Sequence, residues 1–142
     1  MGSSGIWVKL AADVLIVFGL LFVVEVLIGT AGIMGFFADL VIWPLDGAQS
    51  LAAAETRLLL SIAGGVMIGW GVTIMYVAGP VAAHDPALAR RIILISMLCW
   101  FVPDSLGSIA AGGWVNVIGN CGLLAMFLIP VLRMPRRAAV PG

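Results

Sequence analysis

Charged residues are scarce in this chain: Asp, Glu, Lys and Arg make up 10% of its 142 residues, whereas 63% are hydrophobic. Ordinary soluble domains contain about a quarter charged residues and about half apolar ones. The mean hydropathy is correspondingly high, at +1.20. This shortage of charge predicts an integral membrane protein. The formal net charge is zero and no basic run is interleaved with aromatic residues, so we expect no nucleic-acid partner.

Side chains that bind metals or carry redox chemistry are equally scarce. His84 is the single histidine, which excludes bis-histidine haem ligation within one chain and argues against structural zinc. Cys99 and Cys121 form no CxxC motif, so we expect no redox pair. The chain also lacks a glycine-rich phosphate loop, a GxSxG elbow and an HExxH motif. The sequence therefore shows no recognisable catalytic centre, which leans against an enzyme and leaves that class open, and the residues identify neither a cofactor nor a metal site.

Four long apolar runs are present instead. A helix needs about 20 residues to cross about 30 Å of hydrocarbon, and these runs lack the alternation typical of strands. The predicted fold class is all-α: an integral membrane, four-transmembrane-helix up-and-down bundle that forms a single domain over residues 1–142. The spans are placed at about 8–28, 51–78, 86–111 and 114–132.

Local signals set the ends of these spans. We expect Ser50 to cap the second span, Gly79-Pro80 to end it, and Asp85 followed by Pro86 to open the third. The first run has about 20 residues and no clear small-x-small cleavage site, so we expect a retained span rather than a signal peptide.

A shorter apolar segment, GFFADLVIWPLDG at residues 35–47, has too few residues to span. It is interpreted as an interfacial or re-entrant element between the first two spans. As an amphipathic surface element it would turn its apolar side chains (Phe36, Phe37, Leu40 and Trp43) toward lipid or the bundle. Asp39 and Asp46 would then face water.

The basic residues predict an orientation. Most of them flank the spans on one side, which the positive-inside rule assigns to the cytoplasm: Lys9, Arg90, Arg91, Arg133, Arg136 and Arg137. Both termini are therefore expected in the cytoplasm.

Polar residues recur in the outer third of all four spans. At about 1.5 Å per residue, Glu25 lies roughly 6 Å and Asp104 roughly 10 Å from the outer ends of their spans. Asn120 has a similar depth, and Arg57 lies near the start of the second span. A carboxylate within a span costs at least about 2.5 to 3.5 kcal/mol, so it is normally paired, protonated or facing water. Three interpretations stay open: a structural network in which Arg57 neutralises a carboxylate, an outward-opening pocket that binds a ligand or passes protons, or a Glu25 side chain that extends to the headgroups.

Helical spacing extends this candidate site. Trp100, Asp104 and Ser108 recur every four residues on the third span, as do Asn116 and Asn120 on the fourth. The candidate ligand or proton site comprises Glu25, Arg57, Trp100, Asp104, Ser108, Asn116 and Asn120.

Two other local features concern helix shape and packing. Pro103 lacks an N–H and is expected to kink the third span just before Asp104. On the second span, small residues at Ser61, Gly65, Gly69 and Thr73 are interpreted as a helix-packing stripe.

Two stretches carry a family resemblance. RLLLSIAGGVMIGWG, on the second span, has an arginine at its outer end and a glycine-rich middle, and DSLGSIAAGG lies on the third. Over spans two to four the chain resembles small DoxX-like bacterial four-helix membrane proteins. The resemblance implies an up-and-down bundle in the bacterial inner membrane. It leaves the function open, because many members have no assigned activity and some are linked to quinone-dependent electron transfer. It carries over to Arg57, Gly64, Gly65 and Asp104.

A rival resemblance involves Glu25. The stretch VEVLIGT is similar to the first-helix glutamate motif of small multidrug-resistance transporters, in which that residue exchanges protons for cationic drugs. However, Glu25 lies toward one end of its span, and the tyrosine-tryptophan-glycine pattern of that family does not follow at the expected place.

Three classes of function follow from these residues. The preferred one is a small accessory or ligand-binding membrane protein, which takes a small molecule, lipid or quinone in an outer polar pocket or docks on a larger membrane complex. The alternative is a proton-coupled small transporter that uses Glu25 or Asp104. The third is an enzyme acting on a lipid or quinone, with Asp104 as acid or base. Expected partners are the lipid bilayer, a quinone or lipid ligand, and either a second copy of the chain or a larger membrane complex.

Overall fold

The computed structural model describes residues 3–30 and 32–134, and every regular element in that part of the chain is helical. The predicted all-α class is therefore confirmed for these residues. The segments are α1 (Ser3–Ile28), α2 (Gly32–Val41), α3 (Ala54–Tyr76), a π-helical segment (Val77–Val81), α4 (Ala82–His84), α5 (Pro86–Ala110) and α6 (Trp114–Leu132). Arg136 and Arg137, which the orientation prediction uses, lie outside the described residues.

Four helical stretches are long and apolar enough to cross a membrane: Ser4–Ile28, Ala54–His84, Pro86–Ala110 and Trp114–Leu132. No more than 28% of the residues in their most apolar windows are buried within the protein. Soluble monomers rarely expose large contiguous apolar patches, whereas a bilayer solvates such surfaces. The lengths and compositions of these helices indicate a membrane protein.

Successive long helices run antiparallel. Along α1 and α3, Gly5 lies near Ala78 and Gly19 lies against Gly64. Helix α1 packs against α3 and α6, and α5 packs against α6. The π-helical segment also contacts α5 and so closes the array at one end. The opposite end, where α1 ends and α3 begins, carries α2 and is called the α2 end below.

Helices α1 and α3 approach closely because glycine occupies both sides of their contact. A Cβ atom built on Gly64 would lie 2.6 Å from the carbonyl oxygen of Gly19, and the reverse distance is also 2.6 Å. A Cβ atom built on Gly71, two turns further along α3, would lie 2.5 Å from Cγ1 of Ile16. Any larger side chain at these positions would force the helices apart.

The predicted packing stripe on this helix is wrong. A Cβ atom built on Gly65 or Gly69 would meet nothing within 4 Å. Thr73 is exposed, and its hydroxyl donates to the Gly69 carbonyl oxygen at 2.9 Å. The face of α3 that contacts α1 is displaced by about one residue, or about 100°, from the predicted one.

Two of the three predicted signals at the ends of spans two and three are also wrong. Helix α3 begins at Ala54, whereas the Ser50 hydroxyl oxygen accepts a hydrogen bond from Ala52 N, at 3.2 Å, in the preceding loop. Pro80 does not end the helix, because the π-helical turn accommodates it and the helical stretch continues to His84. The second span is therefore Ala54–His84 rather than 51–78.

The signal at the start of α5 is confirmed. The Asp85 carboxylate accepts a hydrogen bond from Leu88 N at 2.9 Å, with Pro86 as the first helical residue. Helix α5 then runs without a break through Pro103.

The apolar core occupies the half of the bundle remote from α2. Each long helix contributes the residues nearest that end, such as Val8, Ala78, Ile93 and Phe127, all at most 2% exposed. The α2 end is different, because its buried residues include the polar side chains of Glu25, Asp39, Ser105 and Asn120. The buried polar side chains of the described residues are therefore concentrated at the α2 end.

Candidate functional site

A cleft of about 730 Å³ opens at the α2 end, between the end of α1, helix α2, the 42–53 connection and the start of α3. Its polar lining includes Glu25, Asp39 and Arg57 together with Thr30, Gln49 and Ser50, and its apolar lining includes Val26, Met34, Phe36, Leu51 and Leu60. Ligand sites of small molecules are commonly clefts of about 300–1,000 Å³ with a few convergent polar groups. The size and mixed lining of this cleft meet that description.

Glu25 holds the N-terminus of α2. Its carboxylate accepts hydrogen bonds from Ile33 N at 2.7 Å and from Met34 N at 2.9 Å, and the residue is 7% exposed. The first N–H groups of a helix lack partners within the helix, and the helix dipole favours negative charge there. Gly29, with φ of 73°, turns the chain after α1 so that α2 can return to this carboxylate. Glu25 therefore has a structural role in positioning α2.

Arg57 joins the start of α3 to the end of α1. Its Nη2 donates to the carbonyl oxygen of Val26 at 2.6 Å. A guanidinium carries five N–H donors, and within residues 3–30 and 32–134 its other donors have no protein acceptor. Because Arg57 lines the cleft, these remaining donors are available to a ligand.

Asp39 is buried, contrary to the prediction that it faces water. Both carboxylate oxygens accept a hydrogen bond from Gly47 N, at 2.9 and 3.0 Å, and the residue is 6% exposed. This bond closes the connection after α2, and Gly47 adopts the positive φ of 72° that the turn requires. Asp39 and Glu25 are therefore already engaged with backbone N–H groups.

The rest of the 35–47 segment follows the prediction more closely. Its helix begins at Gly32 and ends at Val41. Phe37 packs edge-on against Phe18 of α1, with ring centroids 6.0 Å apart, while Phe36 and Trp43 are exposed. Leu40 is half-buried, and Asp46 is exposed as expected.

The remaining predicted polar residues form a separate group between α5 and α6. Asp104 Oδ2 accepts hydrogen bonds from the side-chain amides of Asn116, at 3.4 Å, and Asn120. The Asn116 amide also donates to Ser108 Oγ at 2.9 Å. In the described part of the chain, no cationic side chain bonds to the Asp104 carboxylate.

Trp100 lies outside both groups of polar side chains. Its ring packs against Trp70 of α3, with centroids 5.7 Å apart, and against Phe101. The seven predicted residues therefore lie in three places. Glu25 and Arg57 line the cleft, and Trp100 belongs to an aromatic contact. The other four form the Asp104 group: Asp104, Ser108, Asn116 and Asn120.

Sequence reasoning missed Asp39 and Gln49 as cleft residues. Asp39 had a usable signal, since a carboxylate flanked by Phe36, Phe37, Leu40 and Val41 is as anomalous as Asp104 within its own apolar run. Nothing in the sequence singles out Gln49, which reaches the cleft only through the path of the connection before α3.

In residues 3–30 and 32–134, no group of three or more His, Cys, Asp or Glu side chains is arranged to hold a metal ion. Comparisons with protein-family models, with curated proteins and with solved structures found no match to this chain.

Proposed function

We propose that this chain is a small integral membrane protein of the accessory or ligand-binding type, and that its outer cleft holds an amphiphile with acceptor oxygens. A lipid phosphate and the carbonyl group of a quinone both provide such oxygens. The bacterial inner membrane and cytoplasmic termini belong to the same proposal. They are supported by the DoxX-like resemblance of spans two to four and by the one-sided distribution of basic residues.

One observation carries this proposal: Arg57 lines the cleft with N–H donors that have no acceptor among the described residues, whereas the two buried carboxylates of the cleft are already hydrogen-bonded. An arginine in this position favours acceptor oxygens, above all those of phosphate and carboxylate. Leu60, Phe36 and Met34 supply apolar surface for the remainder of the molecule. The cleft is therefore suited to a polar head attached to an apolar body.

The test is mass spectrometry of the molecules that co-purify with the full chain. A charge-assisted hydrogen bond contributes about 1.5–3 kcal/mol, so Arg57→Gln should lower ligand affinity about tenfold to a hundredfold. Ala52→Phe, which fills the cleft from an exposed position, should also reduce occupancy. Arg91→Gln is the matched control, because it removes an exposed arginine at the opposite end.

The identity of the co-purified molecule separates the two ligand sources. A co-purified phospholipid would support a lipid ligand, and a co-purified quinone would support the quinone ligand suggested by the DoxX-like resemblance. The proposal fails if the folded Arg57→Gln and Ala52→Phe proteins retain the ligand complement of the unsubstituted chain. A stoichiometric protein partner without a small molecule would instead favour docking on a larger membrane complex.

Proton-coupled transport is a second candidate, favoured by the Asp104 group. Its carboxylate accepts hydrogen bonds from two neutral amides, with no cationic partner in the described residues. Such intramembrane carboxylates commonly mark ion or proton pathways. Proton-driven substrate flux in liposomes that Asp104→Asn abolishes would support transport, whereas unchanged flux in that variant would exclude Asp104 as the coupling residue.

A further inference from the structure

A second groove, of about 370 Å³, lies between α1 and α6 at the end of the bundle opposite α2. Its walls are apolar, with Leu10 and Val14 from α1 facing Met126 and Ile129 from α6. Ala125, also in the lining, is small and exposed. The groove therefore offers an apolar channel that opens toward the surroundings of the bundle.

One end of this groove is positively charged. Arg133, the charged residue of the lining, follows α6 as its C-cap and is exposed. No acceptor contacts its guanidinium within the described ranges. Trp7, also in the lining, is 59% exposed, and tryptophan favours the boundary between membrane and water.

A proline interrupts the hydrogen-bonding pattern of α6 at this groove. Pro130 lies inside this helix and has no N–H to donate to the carbonyl oxygen of Met126. Both residues line the groove. The groove thus combines an apolar wall and a guanidinium within one site.

We propose that this groove is a binding site for an anionic phospholipid, with one acyl chain along α1 and α6 and the phosphate at Arg133. The apolar walls favour a ligand with an acyl chain, which a free phosphate ion lacks. The Arg133 guanidinium, which has no acceptor in the described ranges, favours a headgroup with net negative charge over a zwitterionic one, whose own cation would compete for the phosphate. This site is independent of the outer cleft and lies at the other end of the bundle.

Quenching of Trp7 by brominated lipids tests the proposal. The full chain is reconstituted in bilayers that contain brominated phosphatidylglycerol or brominated phosphatidylcholine, and the Trp7 signal is obtained by subtracting a Trp7→Phe protein. A basic residue near an anionic surface strengthens binding about fivefold. Brominated phosphatidylglycerol should therefore quench Trp7 at an about fivefold lower mole fraction than brominated phosphatidylcholine.

Three variants decide the outcome. Arg133→Gln should remove the preference for the anionic lipid, and Ala125→Phe should weaken quenching by filling the groove. Arg91→Gln, with an exposed arginine outside the groove, should keep the preference. The proposal is overturned if Arg133→Gln retains the preference, or if Arg91→Gln loses as much of it, since the latter would reflect surface charge alone.

Discussion

Glu25 is a polar residue inside an apolar helix, and its contacts with the start of α2 explain its presence there. Its two carboxylate oxygens receive the N–H groups of Ile33 and Met34, so the charge lies at the positive end of α2. The residue therefore has a satisfied structural partner without any ion pair to Arg57. Its place in the cleft lining follows from the position of α2.

Replacing Glu25 should consequently weaken the attachment of α2. Loss of an N-terminal cap costs about 0.5–2 kcal/mol, so Glu25→Ala should lower the free energy of unfolding by about that amount. Glu25→Gln keeps one acceptor oxygen and should cost less. Chemical unfolding in detergent measures both, with the exposed Glu55→Gln as control. Equal stability of Glu25→Ala and the unsubstituted protein would refute the capping role.

Asp104 and Asn120 should be energetically coupled, because their side chains are directly hydrogen-bonded. Hydrogen bonds between membrane helices contribute about 0.6 kcal/mol on average and up to about 1.7 kcal/mol. A double-mutant cycle with Asp104→Ala and Asn120→Ala should give a coupling energy in that range, toward its upper end because one partner is a carboxylate. The cycle of Asp104→Ala with Ser96→Ala should give less than about 0.5 kcal/mol, since these residues are not in contact. Equal coupling in the two cycles would contradict the observed pairing.

At the scale of the helices, adjacent glycines on α3 have opposite environments. Gly64 lies against the backbone of Gly19, whereas nothing lies within 4 Å of a Cβ atom built on Gly65. Small residues at a membrane-helix interface allow close approach, and their replacement overpacks the contact. The two positions therefore form a natural matched pair.

Gly64→Ala should destabilise the α1–α3 contact by about 1–3 kcal/mol, the usual cost of overpacking. Gly65→Ala should be neutral or stabilising by up to about 1 kcal/mol, because alanine is the better helix former. Thermal unfolding of both proteins in the same detergent measures the difference. If Gly65→Ala proved the more damaging, the packing face of α3 would be the one that contains Gly65, as the sequence predicts.

The elements that the sequence predicts well depend on local properties. Long apolar runs predict four helices, and Asp85 followed by Pro86 predicts the start of α5, because run length and capping involve neighbouring residues. The burial of Asp39 was not predictable in the same way. Its partner, Gly47 N, approaches only because the connection after α2 folds back, which helical spacing does not specify.

The division of the polar residues into two groups was unpredictable for a related reason. Spacing places Arg57 and Asp104 at similar depths, but depth does not specify which helices are neighbours. Since α5 packs against α6, and α3 packs against α1, Asp104 meets the asparagines of α6 while Arg57 meets the end of α1. Helix order and rotation are set by tertiary packing, at positions such as Gly19 and Gly64.

For the whole molecule, the distribution of basic residues predicts which end faces the cytoplasm. In a background without Cys99 and Cys121, a single cysteine at Gln49 should react with an impermeant reagent added from outside, and one at Ala82 should not. These positions lie at opposite ends of the bundle, in the connection before α3 and in α4. Labelling at Ala82 alone would show that the predicted orientation is reversed. Each of the two proposed sites would then lie in the opposite leaflet.

The confinement of the apolar core to the half remote from α2 has a consequence for motion. Segments with few buried apolar contacts open locally at lower free energy than a packed core. Backbone amides around Val8, Ile93 and Phe127 should therefore exchange with deuterium slowly, and those around Gly29, Gln49 and Ala53 should exchange early. The α2 end would then open locally and transiently. A ligand could enter the cleft between α1, α2 and α3 during these brief openings, while the half of the bundle that contains the apolar core stays closed.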